Sequence, residues 1–424
     1  MLRIIPIALN QLVGFMIGLA GVRLISSMVP PTVYGRYSIF LTLTQIGYLL
    51  THSGLVNHAA RYWDRESSYV RHYAHFLWQA GWKRTFILAW ILLLLTSLRA
   101  GFEARSDWLL VMPLLLCSNL ALALASIATS ALNAGERHWV MLWFGAITAS
   151  ARAFLPVLLV YLFGAQLIWL GLGFAIHGLV IIVALTAVLQ FFWKLDLLET
   201  TQTERWTQEM GSYGRPFMLL GVGSWCLLST DRWLVFHFFH EDFAGIFSMA
   251  FAIAAILPNM LYAGLMQSVF PKAFRDADSA TVTEDWRKLA RRCDWMTVAF
   301  VTSSCGVLTC VQLLAPFILG WIVNIRYAPS MGLILPAGLA AISLQVNQFY
   351  FLLLQGKHNS SAMVQVMFAV AGIKIVGGIV AALISIRAFE IWLVLGMFVC
   401  WGVGRTMVRF LVFRQSYIGS GRTI

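Results

Sequence analysis

Charge is what this chain has least of: 11% of its 424 residues are Asp, Glu, Lys or Arg, where a soluble domain carries about a quarter. With 60% hydrophobic residues and a mean hydropathy of +0.78, too little polar surface remains to face water, which excludes an ordinary soluble globule. Acids are scarcer than bases, 18 against 30. The six cysteines (117, 226, 293, 305, 310 and 400) show no metal-ligand spacing, and nothing points to disulfides. No P-loop, no H-E-x-x-H and no large polar segment with paired acids occurs, which argues against nucleotide hydrolysis or another enzymatic activity. The first apolar span is expected to be retained rather than cleaved as a leader: Met1-Leu-Arg runs straight into it with no small-x-small site beyond it.

What is present is a series of long apolar runs. About 20 residues at 1.5 Å each cross the hydrocarbon core. Twelve such runs can be placed, at about 4–28, 37–60, 82–98, 108–131, 139–163, 166–190, 212–238, 243–270, 296–318, 331–354, 361–386 and 389–412. Only R-A-F-E near Arg387 divides the last two. Their length and lack of alternation make them helices rather than barrel strands. The expectation is an all-α integral membrane protein of about 12 transmembrane helices. It divides into an N-terminal six-helix bundle (1–190), a cytoplasmic linker (191–211) and a C-terminal six-helix bundle (212–424).

Orientation follows from the bases. With the N-terminus inside, 20 of the 30 Lys and Arg are cytoplasmic and five (Arg36, Arg99, Arg105, Arg326, Arg387) are outside. This places both termini in the cytoplasm. The same bias explains the net charge of +12 without nucleic acid as a partner. The linker contains four acids, Lys194 and Arg205, and reads as a tether or an amphipathic helix on the membrane surface.

A weak internal repeat runs through the chain. Tyr34–Glu66 and Ala244–Asp276 share six identities over 33 positions, at Gly35, Ser38, Ile46, Gly54, Leu55 and Arg65 and their partners 210 residues on. In both copies a short turn (Y-G-R-Y-S, A-G-I-F-S) leads to one apolar span and a basic exit. Six spans separate the copies, so they share an orientation, which makes the duplication parallel. N-A-G-E-R-H (133–138) and L-Q-G-K-H-N (354–359) add a third echo.

The remaining bases fall inside spans: Arg23, Arg152, Arg215, Arg232 and Lys374, with Asp231 the one acid among them. Ionised groups in lipid cost several kcal/mol unless they face protein or water. Arg23 and Arg215 lie near span ends, where snorkelling also accounts for them. Arg152 and Lys374 are deeper. A cation pathway calls for embedded carboxylates, whereas this excess of bases points to a cavity that attracts an anion, for which Arg23, Arg152, Arg215 and Lys374 are the substrate-binding candidates. Asp231 and Arg232 are candidates for an internal ion pair, with Asp231 reaching Arg232, Arg23 or other neighbours, or for an ion-coupling site. Asn10, Gln11, Gln45, Gln345, Asn347 and Gln348 are weaker polar candidates, and His52, His58 and His177 have no metal spacing. No catalytic residue and no metal ligand is assigned.

P-P-T-V-Y-G-R-Y-S-I-F (30–40) with G-L-V-N-H-A-A-R-Y (54–62), then Y-G-R-P-F-M-L-L (213–220), D-R (231–232), F-A-G-I-F-S-M-A (243–250) and F-P-K-A-F (270–274), resembles the polysaccharide transporter family. These are the Wzx-type O-antigen and lipid-linked oligosaccharide flippases of the multidrug/oligosaccharidyl-lipid/polysaccharide exporter (MOP) superfamily. The resemblance implies a MATE-like, V-shaped transporter of two bundles in the bacterial inner membrane. It implies a cargo of undecaprenyl-pyrophosphate-linked oligosaccharide, an O-antigen or related lipopolysaccharide unit, carried from the cytoplasmic to the periplasmic leaflet by alternating access. It further implies no cofactor beyond a proton or sodium gradient, and membrane lipids and other surface-polysaccharide assembly proteins as partners. The alternatives are a cation-coupled multidrug exporter of the same fold and a membrane-bound glycan polymerase or ligase. The first calls for embedded acids in the N-terminal half, which are missing; the second calls for a large outer loop.

Overall fold

The computed structural model describes residues 4–62, 72–73, 75–77, 79–87, 114, 117–119, 122–129, 132, 137–190, 200–278, 283–357 and 359–420. Among these, all regular structure is helical. The long helices are α1 (Ile4–Met28), α2 (Pro31–Tyr62), α3 (His138–Phe163), α4 (Leu167–Gln190) and α5 (Thr200–Phe238). They continue as α6 (Glu241–Asp278), α7 (Thr283–Ile322), a 3-10 segment (Ile325–Leu333), α8 (Ile334–Gly356), α9 (Ser360–Ile384) and α10 (Ile386–Ser420). Eight helices among the described residues are long and apolar enough to cross a membrane, and Leu167–Ile181 is a shorter apolar one. Most of the expected span at 82–98, and much of that at 108–131, lies outside the described residues.

The chain forms two compact units, Met1–Val222 and Gly223–Ile424. In the first, glycines let helix backbones close on one another. A Cβ on Gly21 of α1 would stand 3.0 Å from the Cβ of Ala153 on α3, and one on Gly173 of α4 would stand 2.4 Å from the Cα of Pro156. Gly54 of α2 crosses Gly214 of α5 so closely that a Cβ there would lie 2.6 Å from the Gly214 carbonyl oxygen. Beside that crossing, Ser53 Oγ donates to the Phe217 carbonyl at 2.9 Å. Residues 191–199 are not described, but from Thr200 the linker is already helix, continuous with α5. Trp206 is fully buried among Leu55, Ala59, Tyr73, Phe76 and Leu77, which ties this turn to the first unit.

In the second unit, α8 is the central helix: Ala337, Ile342, Val346, Phe349, Phe351 and Leu353 are all fully buried. A continuous apolar helix packed on all sides reads this way in sequence. Gln312 of α7 brackets the start of α8, donating to the Met331 carbonyl (2.6 Å) and accepting from the Leu335 amide (3.1 Å). The division between the last two helices is Ser385 alone. It is extended (φ −174°, ψ 165°), and its hydroxyl accepts from the Ala388 amide at 3.1 Å, an N-cap that starts α10.

The repeat becomes sharper in three dimensions. Helix α1 ends at Met28 and α2 starts at Pro31, while α5 ends at Phe238 and α6 starts at Glu241; each pair of boundaries is 210 residues apart. The carbonyls of Pro30 and His240 accept the equivalent first-turn bonds, from Tyr34 (3.0 Å) and Ala244 (3.1 Å). The expected turns Y-G-R-Y-S and A-G-I-F-S are corrected: both are opening turns of helices, and each reversal takes only two residues. Pro31 suits the first helical position because its missing N–H would have no partner there. His240 reaches the same geometry with a positive φ of 75°. The basic run after the eighth span is likewise helix from Thr283 onward, as the first turns of α7.

Candidate functional site

Arg152 is an embedded base that the structure leaves available. Helix α3 is clamped along its length, by Gly21 of α1 at Ala153, by Gly173 of α4 at Pro156, and by Asn10 of α1, whose Oδ1 would lie 2.7 Å from a Cβ on Gly145. These contacts fix the rotation of α3 and leave the Arg152 side chain exposed. Its guanidinium carbon sits 5.7 Å from the Phe174 ring centroid, a cation–π contact. His177 packs on the same ring (5.4 Å between centroids), and Phe40 of α2 stands against α4, its Cζ 3.6 Å from where a Cβ on Gly171 would lie. Tyr37 stands in a row with Tyr34 and Phe40, each neighbour 6.3 Å away. Arg152 makes no hydrogen bond or ion pair with the described residues. Its planar fork of donors is therefore unspent, beside an aromatic wall from α2 and α4.

Arg23 and Arg152 lie at similar depth. The Gly21–Ala153 and Asn10–Gly145 contacts make α1 and α3 parallel. With Arg23 two residues past Gly21 and Arg152 one before Ala153, their levels differ by about 5 Å. The Arg23 side chain is also exposed. Arg215 is not part of this group. It follows Gly214 at the Gly54 crossing, 17 residues or about 25 Å along α2 from Tyr37. It too is exposed and makes no hydrogen bond or ion pair with the described residues.

Lys374, expected to line a cavity, is instead 2% exposed. Its Nζ lies 2.7 Å from Oδ2 of Asp231, which is fully buried. It also donates to the Leu227 carbonyl (2.5 Å) and the Ala340 carbonyl (3.4 Å). Of the three donors of an ammonium, two go to these carbonyls, and the charge is paired with Asp231. Asp231 thus finds its partner in Lys374 rather than in Arg232, whose guanidinium carbon stands 4.2 Å from the centroid of Phe251. The glycines after Lys374 make room for the pair's surroundings. A Cβ on Gly377 would sit 2.1 Å from the Trp392 ring, and one on Gly378 2.7 Å from Leu234.

A second charged node was counted in the sequence only as topology. Asp294 of α7 takes Arg405 at 2.8 Å, takes Arg409, and accepts the Tyr350 hydroxyl at 3.1 Å. Trp401 donates to that hydroxyl at 3.1 Å. The available signal was the i, i+4 spacing of Arg405 and Arg409 and the lone acid after R-R-C; the node joins α7, α8 and α10. No group of three or more His, Cys, Asp or Glu able to hold a metal occurs among the described residues.

Residues 3–275 match the family described as "Polysaccharide biosynthesis protein". The chain belongs to this family. No curated protein matches the sequence. Solved structures that share the fold include MATE transporters, one of them described as a member of the MOP superfamily, and a lipid flippase. An inward-facing multidrug resistance MATE transporter aligns with a TM-score of 0.62 at 12% identity, over 95% of either chain. A mutant of the Vibrio cholerae MATE transporter VcmN aligns with a TM-score of 0.66 at 12% identity, over 97% of this chain and 96% of the other. The lipid II flippase MurJ, in an inward closed conformation, gives 0.66 at 13% identity, over 96% and 87%. The protein is a multi-pass membrane protein with the fold seen in MATE transporters and in MurJ.

Proposed function

We propose that this protein is a flippase that carries an undecaprenyl-pyrophosphate-linked oligosaccharide from the cytoplasmic to the periplasmic leaflet of a bacterial inner membrane by alternating access. Arg152 carries the reading. It is an exposed base in the interior of an apolar helix, with its hydrogen-bonding fork unspent. A group in that position is costly unless it faces water or an anion. Pyrophosphate, in turn, crosses hydrocarbon only where protein donors replace its hydration. Arg23, at similar depth, adds charge to the same region. The family match supports polysaccharide assembly, and the fold supports transport without bond making or breaking. The bias of basic residues supports cytoplasmic termini. Lys374 and Asp231 serve structure in this reading, and Arg215 acts at another level, at the end where α2 and α5 cross.

The test is a leaflet-resolved assay in proteoliposomes loaded with undecaprenyl-pyrophosphate-linked oligosaccharide, with imposed proton or sodium gradients. Removing a charge-assisted contact costs about 1.5–3 kcal/mol, or roughly 10- to 150-fold. Arg152→Gln is therefore expected to cut the rate at least tenfold with normal insertion, and Arg152→Lys to retain part of it. Unchanged transport by Arg152→Gln refutes the site. Export of cationic drugs without lipid-linked glycan refutes the cargo.

A further inference from the structure

Two polar side chains of the second unit, Asn259 on α6 and Gln345 on α8, pair with each other and with no charged group among the described residues. Asn259 and Gln345 form a side-chain amide pair 2.7 Å apart. With both amides turned over, Gln345 donates to the Ala341 (2.6 Å) and Ile342 (3.2 Å) carbonyls and accepts from the Asn259 Nδ2 that then faces it. Gln345 is then fully engaged and 8% exposed, while Asn259 is exposed and has spent one N–H only. One N–H and a carbonyl oxygen remain, with no other partner among the described residues.

The depth of this pair matters. Gln345 is midway along α8, about 16 Å from either end. The Ala254–Gly338 contact, on the N-terminal side of both residues, shows that α6 and α8 run parallel. Asn259 therefore sits at the same mid-membrane level, inside the candidate span Glu241–Met266. An interhelical hydrogen bond explains Gln345. It does not explain an exposed amide with half its capacity unspent, which hydrocarbon would penalise. One turn further on, Tyr262 and Phe349 bring their rings within 5.7 Å, and Tyr262 and Phe300 within 6.1 Å. They form a rigid aromatic base on the same helix rows.

We propose that Asn259, held in place by Gln345, reads a hydroxyl of the glycan portion of the cargo. A donor and an acceptor fixed on one planar amide match a hydroxyl, which both gives and takes a hydrogen bond, and the half-buried ring of Tyr262, backed by the buried Phe300 and Phe349, suits the apolar face of a sugar. The assignment rests on the flippase reading above but concerns the sugar, whereas Arg152 concerns the phosphate. A site built to bond a hydroxyl discriminates against ligands lacking it.

Binding to the full-length protein in detergent tests it, with two probes: undecaprenyl pyrophosphate without sugar, and the lipid-linked oligosaccharide extracted from the cells that express the protein. Wild-type protein is expected to prefer the glycosylated probe. Asn259→Leu should weaken that probe about fivefold, one neutral hydrogen bond, and leave the sugar-free probe within twofold. Asn259→Ala serves as a second variant, and thermal melting of each confirms a folded protein. Arg152→Gln should weaken both probes together. Equal loss on both probes at Asn259, no loss at all, or no wild-type preference for the sugar overturns the assignment. Failure of wild-type protein to bind either probe overturns the flippase reading itself, and this assignment with it.

Discussion

Replacing Lys374 by Met removes the ammonium that neutralises Asp231 and keeps most of the side-chain volume. Asp231 is fully buried, Nζ of Lys374 is 2.7 Å from its Oδ2, and neither of its oxygens accepts a well-aligned hydrogen bond from the described residues. Breaking a buried pair from one side leaves an uncompensated charge and costs about 3–5 kcal/mol. Replacing both members by apolar or neutral groups of similar size is close to neutral, because the desolvation of both ions is recovered. Lys374→Met should therefore be strongly destabilised, and the double variant Asp231→Asn with Lys374→Met should recover most of the loss. At roughly 2–4 °C per kcal/mol for a unit of 150–250 residues, the single variant should melt about 6–20 °C lower. The assay is a double-mutant cycle on purified protein in detergent, with leaflet-resolved transport measured on the double variant. Transport should persist once folding is restored. A double variant no more stable than Lys374→Met alone refutes the pairing argument. A stable double variant that fails to transport refutes the structural role and returns Lys374 to the cargo path.

Three further outcomes follow from packing. Gly54→Ala pushes a Cβ to 2.6 Å from a backbone oxygen, and overpacking of this kind costs about 1–3 kcal/mol. The repeat-related Gly264→Ala meets nothing within 4 Å and should leave the melting temperature unchanged, so equal effects would refute the close-crossing argument. Trp206→Ala empties a fully buried site at about 3–5 kcal/mol, and limited proteolysis should then cut near residue 200 faster than in wild type. Asp294→Asn weakens its bonds to Arg405 and Arg409; a lower melting temperature relieved by neutralising both arginines is expected, and no change at all would make the node a surface pairing without weight.

The amino-acid sequence by itself determined the class of molecule. A chain with 11% charged residues has to put its surface in lipid, and backbone groups in lipid have to be satisfied within helices. The repeat was legible too, because helix starts need particular residues: Pro31 opens α2, and α6 opens 210 residues later. Tyr34–Ser38 was misplaced as a turn because glycine near a helix start looks like a loop in one dimension. The depth of Arg152 could be read from its distance to the polar flanks of its span.

Tertiary structure alone decided which embedded charges are spent. Arg152 and Lys374 look alike in sequence, each a base within a long apolar run. Lys374 closes on an acid 143 positions earlier in the chain, and Arg152 closes on an aromatic ring that leaves its donors unspent. Asn259 was passed over for the same reason: its meaning depends on Gln345, 86 residues away. An ion pair or an amide pair is a property of two positions, and only folding brings the two within hydrogen-bond distance.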